Sequence, residues 1–194
     1  MKKDIILAGV GGQGILSIAT VIGWAALDQD LQLKQAEVHG MSQRGGDVQS
    51  NLRLSHDRIW SDLIPKGECD LIMSLEPMEA LRYLPWLSKD GWIVTNTAPF
   101  ININDYPDMA EIRRELDATG RVIAINCDAI AREAGSPKSA NMVLLGASAP
   151  VIEIIDPEKF REGITEVFSR KGEKIVEMNI AAFNAGLQTS KKLS

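Results

Sequence analysis

The chain has 194 residues, 45% hydrophobic and 24% charged, with a formal net charge of −5. That length can bury a sizeable core and predicts one domain over residues 1–194. The acidic balance argues against a nucleic acid or an anionic membrane as the main partner. Cys69 and Cys127 stand apart, with no Cys-x-x-Cys and no neighbouring His, which argues against a disulfide framework, a structural zinc or an iron–sulfur cluster held by this chain alone.

Lys2, Lys3 and Asp4 precede only a short apolar run. The run is too short for a signal peptide or a membrane span, so a cytoplasmic location is expected. Ile5-Ile6-Leu7-Ala8 leads into Gly9-Val-Gly-Gly-Gln-Gly14, and the apolar-periodic stretch Ile15 to Leu27 follows at once. This predicts a buried strand, a tight turn at Gly9, Gly11, Gly12 and Gly14, and a helix. Open N–H groups at a helix N-terminus and the positive end of its dipole make such a turn a seat for an anion. The glycines also serve the plainer purpose of letting strand and helix pack closely. The Gln13 amide is placed to orient a carbonyl or phosphate oxygen there.

Leu31 to Val38 predicts a second strand. Glu37, 23 residues beyond Gly14, falls near the ~20-residue spacing of a ribose-binding acid in a dinucleotide fold. A crossover helix is then due and does not come. His39-Gly-Met-Ser-Gln-Arg-Gly-Gly46 reads as a loop, Val48 to Leu54 as an alternating strand, His56-Asp57 as a polar turn, and Arg58-Ile59-Trp60 as the start of a partner strand. A strand entered through so short a loop runs antiparallel to a neighbour, so the sheet is mixed. In the loop, Arg44 offers a fork for carboxylate or phosphate, with His39, Met41, Ser42, Gly45 and Gly46 around it. The bland alternative ties Arg44 to Glu37 or Asp47.

An α/β rhythm resumes. Cys69 to Leu75 is a strand, Glu76-Pro77 opens a helix to about Leu87, and Gly91 to Thr95 is a strand. Thr97 to Pro107 is an irregular loop. Asp108 to Thr119 is a helix closed by Gly120, Arg121 to Asn126 a strand, and Asp128 to Ala134 a helix stopped by Gly135. Ala140 to Ala149 is apolar nearly all round and so a buried helix, with Asn141 capping it or facing the site. Pro157 to Arg170 and Glu173 to Gln188 complete the helices. The expected fold is α/β: three-layer and Rossmann-like, with a mixed, mostly parallel sheet containing a hairpin after the second strand. The four tryptophans are expected to pack, an exposed one marking an interface. No Ser–His–acid set and no metal-ligand spacing occurs.

Gly9-Val-Gly-Gly-Gln-Gly14 and Glu37-Val-His-Gly-Met-Ser-Gln-Arg-Gly-Gly46, taken with Glu76-Pro-Met-Glu-Ala-Leu-Arg82, Asn96-Thr97 and Asn141-Met-Val-Leu-Leu-Gly146, resemble the 2-oxoacid:ferredoxin oxidoreductase gamma-domain family, most of all its indolepyruvate branch. The resemblance spans nearly the whole chain. It implies a complex that oxidatively decarboxylates arylpyruvates to aryl-acetyl-CoA, with CoA as cosubstrate and ferredoxin as electron acceptor. It places thiamine diphosphate, Mg and the 4Fe–4S clusters on a larger partner subunit and leaves none held by this chain alone. The chain then shapes part of a substrate or CoA site and docks the partner, with Arg44 as the residue for an anionic group. Two other readings stand beside it: a free-standing NAD(P)- or flavin-binding protein, and a regulatory module for a small anionic metabolite.

Overall fold

The computed structural model describes residues 1–39 and 45–192, with the side chain of His39 outside that description. Six strands form one sheet in the order β2-β3-β1-β4-β5-β6. In chain order they are β1 (Lys2–Val10), β2 (Gln32–His39), β3 (Asp47–Ser55), β4 (Cys69–Ser74), β5 (Leu87–Asn96) and β6 (Val122–Ile125). The helices are α1 (Ile15–Asp28), α2 (Pro77–Arg82), α3 (Met109–Asp117), α4 (Cys127–Glu133), α5 (Ala140–Ile152), α6 (Pro157–Phe168) and α7 (Glu173–Ser190).

β1 is buried from Asp4 to Val10 because helices cover both faces of the sheet, which explains its unbroken apolar run. Ile5 and Leu7 point into the larger core, with α1, α5 and α6. Ile6 and Ala8 point into the smaller one, with α2 and α3. α5 is buried all round, and α7 lies along its outer side as an added helical layer. The contact rests on two glycines. A Cβ on Gly146 would sit 1.9 Å from the Phe183 carbonyl oxygen, and one on Gly186 2.0 Å from that of Val143.

The mixed sheet is as expected, with β3 alone reversed: it runs antiparallel to β2 on one side and to β1 on the other. The hairpin is therefore β2–β3. Arg58-Ile59-Trp60 forms no strand, correcting the expectation of a partner there, because both edges of β3 are already occupied. A buried ion pair marks the register: Asp4 stands opposite Arg53, whose Nε and Nη2 reach its two carboxylate oxygens at 2.8 and 3.0 Å. The helix expected to reach Leu87 ends at Arg82, and a short 3-10 turn at Leu84–Trp86 follows; Pro85 has no N–H with which to continue an α-helix. Trp24, Trp86 and Trp92 pack against the cores as expected. Trp60 does not; it is 78% exposed, with the Arg58 guanidinium 4.1 Å from its ring centre.

Candidate functional site

At the carboxyl end of β1 the chain turns through Gly11 to Gly14 into α1. Gly12 (φ 103°) and Gly14 (φ 84°) take the left-handed backbone that favours glycine. Helix α1 follows on one face of the sheet and α2 on the other, so the ends of the parallel neighbours β1 and β4 flank the crevice where open α/β sheets bind ligands. Gln13 spans that crevice. Its Oε1 accepts from the Val10 N–H at 2.7 Å, and its Nε2 donates to the Leu75 carbonyl at 3.1 Å. The expected ligand-orienting amide is thus an internal brace between β1 and the end of β4.

The two glycine motifs meet. The Gly11 N–H donates to the Gly46 carbonyl at 2.9 Å, and the Gly45 N–H to the Gly11 carbonyl at 3.4 Å. The Gln13 N–H donates to the Val10 carbonyl. Two of the turn's donors are therefore committed within the protein, and an anion seat falls to the first turn of α1. Further ties hold Gly45 and Gly46 from outside. Asn102 Nδ2 donates to the Gly45 carbonyl, and the hydroxyl of buried Tyr83 donates to the carboxylate of Asp47, 3.1 Å from each oxygen. The loop that carries Asn102 is anchored in turn by buried Glu76, which accepts from the Phe100 N–H and the Tyr106 hydroxyl.

A second helix N-terminus converges on the turn. Asn141, in the first turn of α5, donates from Nδ2 to the Gly14 carbonyl at 3.2 Å and accepts from the Met142 N–H. Beside this contact lies a cleft of about 550 Å³, lined by Gly12, Gly14, Ser17, Asn141 and the cations Lys138 and Lys171 on its polar side. Phe168, Ile175 and Met178 form its apolar side. Two helix dipoles and two ammonium groups favour an anionic group there, and the apolar wall suits a hydrophobic body attached to it.

Of the residues singled out from sequence, the fold gathers Gly9, Gly11, Gly12, Gln13, Gly14, Gly45, Gly46 and Asn141. Glu37 lies apart. It sits on the outermost strand level with Ser50, itself level with Leu7 of β1, so two strand spacings, about 10 Å, separate it from β1. The inserted β3 removes the ribose-binding geometry of a dinucleotide fold. Met41, Ser42, Arg44 and the side chain of His39 lie outside the described residues. Sequence reasoning missed Asn102, Tyr83 and Asp47 as supports. An isolated Asn in a polar loop and a Tyr after a short helix carry no spacing signal, whereas the opening Glu76-Pro77 was legible as a helix start.

Both cysteines are fully buried. Burial pushes the Cys69 thiol up to about 12 and raises that of Cys127 as well, so neither suits thiolate ligation of iron. Among the described residues no group of three His, Cys, Asp or Glu is placed to hold a metal ion. No helix among them is long and apolar enough to cross a membrane.

Residues 4–189 match the family described as pyruvate ferredoxin/flavodoxin oxidoreductase. The chain belongs to this family. Among its relatives in the pyruvate ferredoxin/flavodoxin oxidoreductase family, indolepyruvate oxidoreductase subunit IorB of Pyrococcus horikoshii is 36% identical over 100% of this chain and 98% of its own length. The fold is shared with the keto/oxoacid ferredoxin oxidoreductase gamma subunit of Geobacter sulfurreducens (TM-score 0.69, 24% identity, 98% of this chain and 99% of that one). It is shared too with 2-oxoglutarate:ferredoxin oxidoreductase of Magnetococcus marinus, solved with 2-oxoglutarate, coenzyme A and succinyl-CoA bound (TM-score 0.76, 24% identity). There the match covers all of this chain and 32% of a longer one.

Proposed function

We propose that this chain is the beta (gamma-type) subunit of an indolepyruvate:ferredoxin oxidoreductase, acting over residues 1–194 as one unit in a cytoplasmic complex. The observation that carries it is the similarity, over nearly both full lengths, to a subunit named for indolepyruvate oxidation. In the reaction an arylpyruvate loses CO2, the electron pair of the broken C–C bond passes to ferredoxin, and the CoA sulfur takes the acyl group as its thiol proton is released. Thiamine diphosphate, Mg and the 4Fe–4S clusters belong to the larger partner subunit in this reading, which the full burial of Cys69 and Cys127 supports for the iron.

This subunit positions rather than reacts. The glycine turn and Asn141 form a rigid wall with two helix N-termini behind it, suited to an anionic group of CoA or of the 2-oxoacid. Gly45 and Gly46 meet that wall at Gly11; Glu37, His39, Met41, Ser42 and Arg44 belong to the stretch of sequence that leads into them, and from its chemistry the Arg44 guanidinium takes an anionic group. Exposed large apolar side chains, among them Trp60, Leu63, Phe100 and Ile101, are consistent with a docked partner.

The test is anaerobic co-purification with the larger subunit, then arylpyruvate- and CoA-dependent dye reduction. Activity that needs both chains and prefers arylpyruvates supports the proposal. Full activity of the isolated chain would sink it. Preference for pyruvate, 2-oxoglutarate or a branched-chain 2-oxoacid would move the chain to another gamma subunit, and tight binding of NADH, NADPH or FAD would restore the free-standing reading.

A further inference from the structure

The Glu76-Pro-Met-Glu-Ala-Leu-Arg82 helix carries no group that faces the cleft beside the glycine turn, yet the ties that Asn102 and Tyr83 make at Gly45 and at Asp47, next to Gly46, both lead back to its two ends. The residue that follows the last of α2, Tyr83, is 4% exposed. Its hydroxyl stands 3.1 Å from both oxygens of Asp47. Asp47 follows Gly46 directly and pairs in register with Val10, the last residue before the glycine turn. The residue that opens α2, Glu76, caps the helix by accepting from the Glu79 N–H and also holds Phe100 and Tyr106, flanking the Asn102 that donates to the Gly45 carbonyl.

We propose that Tyr83 is a positioning residue of this enzyme subunit: through Asp47 its hydroxyl fixes where the Gly45–Gly46 backbone meets Gly11, and so the shape of the anion seat, without touching a ligand. The inference rests on the functional reading above for the ligand. It rests on geometry alone for the clamp. A phenol donating to a carboxylate is a charge-assisted bond. In Tyr83→Phe the ring still fills its site while Asp47 loses a donor, so the core stays packed and the turn loosens.

Two readouts separate clamp from ligand. In the isolated chain, amide hydrogen exchange at Gly11 and Gly45 rises several-fold in Tyr83→Phe while exchange in the α5–α7 core stays at the wild-type rate. In the assembled complex, KM for CoA or the 2-oxoacid rises about tenfold with kcat within about twofold. The variants Asp47→Ala and Asp47→Asn sharpen the test. The alanine variant matches Tyr83→Phe and adds nothing to it in the double variant, whereas the asparagine, still able to accept, brings KM most of the way back to the wild-type value. Unchanged exchange at Gly11 and Gly45 overturns the clamp. Altered exchange with unchanged KM for whichever 2-oxoacid the complex oxidises overturns its functional role. A complex that oxidises no arylpyruvate counts against the proposed function and leaves the exchange result standing.

Discussion

The Asn141 amide donates to the carbonyl of Gly14 across 127 positions of sequence and 3.2 Å of space. The contact closes the angle between the N-termini of α1 and α5, and it leaves no room at the glycine. A Cβ on Gly14 would lie 2.7 Å from Asn141 Nδ2.

Gly14→Ala is therefore expected to cost about 1–2 kcal/mol for the left-handed backbone alone, with the displaced amide adding to it. Asn141→Ala is expected to cost about 1 kcal/mol for the lost hydrogen bond. In the double variant the steric part of the Gly14→Ala cost disappears and the backbone part remains, so urea denaturation of the four proteins gives a total below the sum of the singles.

Gly146→Ala should be among the most damaging single-methyl additions in the chain. The atom it meets is the Phe183 carbonyl oxygen, part of the α7 backbone, so relief requires separating α5 from α7 rather than turning a side chain. A loss above about 3 kcal/mol is expected from overpacking at a backbone contact. Gly186→Ala, the reciprocal change, should behave alike. A Tm within a few degrees of wild type for either would contradict the close approach.

Asp4 is fully buried, and Arg53 is its opposite partner in the β1–β3 register. Arg53→Ala strips the bidentate partner from a buried carboxylate and is expected to cost about 3–5 kcal/mol. Adding Asp4→Asn should recover part of the loss by removing a buried charge that would keep the half-exposed Lys2 ammonium, 3.0 Å from Oδ2, as its counterion. Recovery of none of it in chemical denaturation would mean that Arg53 acts through its stem and its bonds to the Ser61 and Leu63 carbonyls.

Glu79 supplies a pH dependence whose sign follows from its raised pKa. Burial raises its pKa and the nearby Asp47 raises it further, with the bond to Arg82 opposing both. A carboxyl whose folded pKa is raised binds protons more tightly folded than unfolded. Its contribution is therefore best at low pH and declines as pH climbs from the ordinary Glu value of about 4.3 through the folded value. Relative to wild type, Glu79→Gln should gain stability steadily over that interval. A Tm difference that is flat with pH, or that moves the other way, would show that the ion pair with Arg82 dominates the site.

Much of the architecture could be read from pattern because the determining forces are local. The apolar run into Gly9, the period of α1, Glu76-Pro77 at the head of α2, and Gly120 and Gly135 past the ends of α3 and α4 each state a boundary within a few residues. The missing crossover helix after Glu37 likewise announced a reversed strand. The partner of that strand could not be read the same way, since hairpin signals at His56-Asp57 compete with the longer loop before Asp47. The contest was decided by which strands lie beside β3 in the sheet.

The sequence by itself determined the strand–turn–helix unit at the glycines, the mixed α/β class and the motifs shared with the oxidoreductase family. These follow from hydrophobic period, glycine conformation and short-range capping, which act within a few residues. Only the tertiary structure decided what the motif residues do. It turned Gln13 from a ligand contact into a brace on Leu75, moved Glu37 two strands from the glycine turn, and brought Asn141, Asn102 and the Tyr83–Asp47 pair to its support. Those contacts link residues far apart in the chain, where partner choice depends on strand order and helix packing and leaves no trace in local spacing.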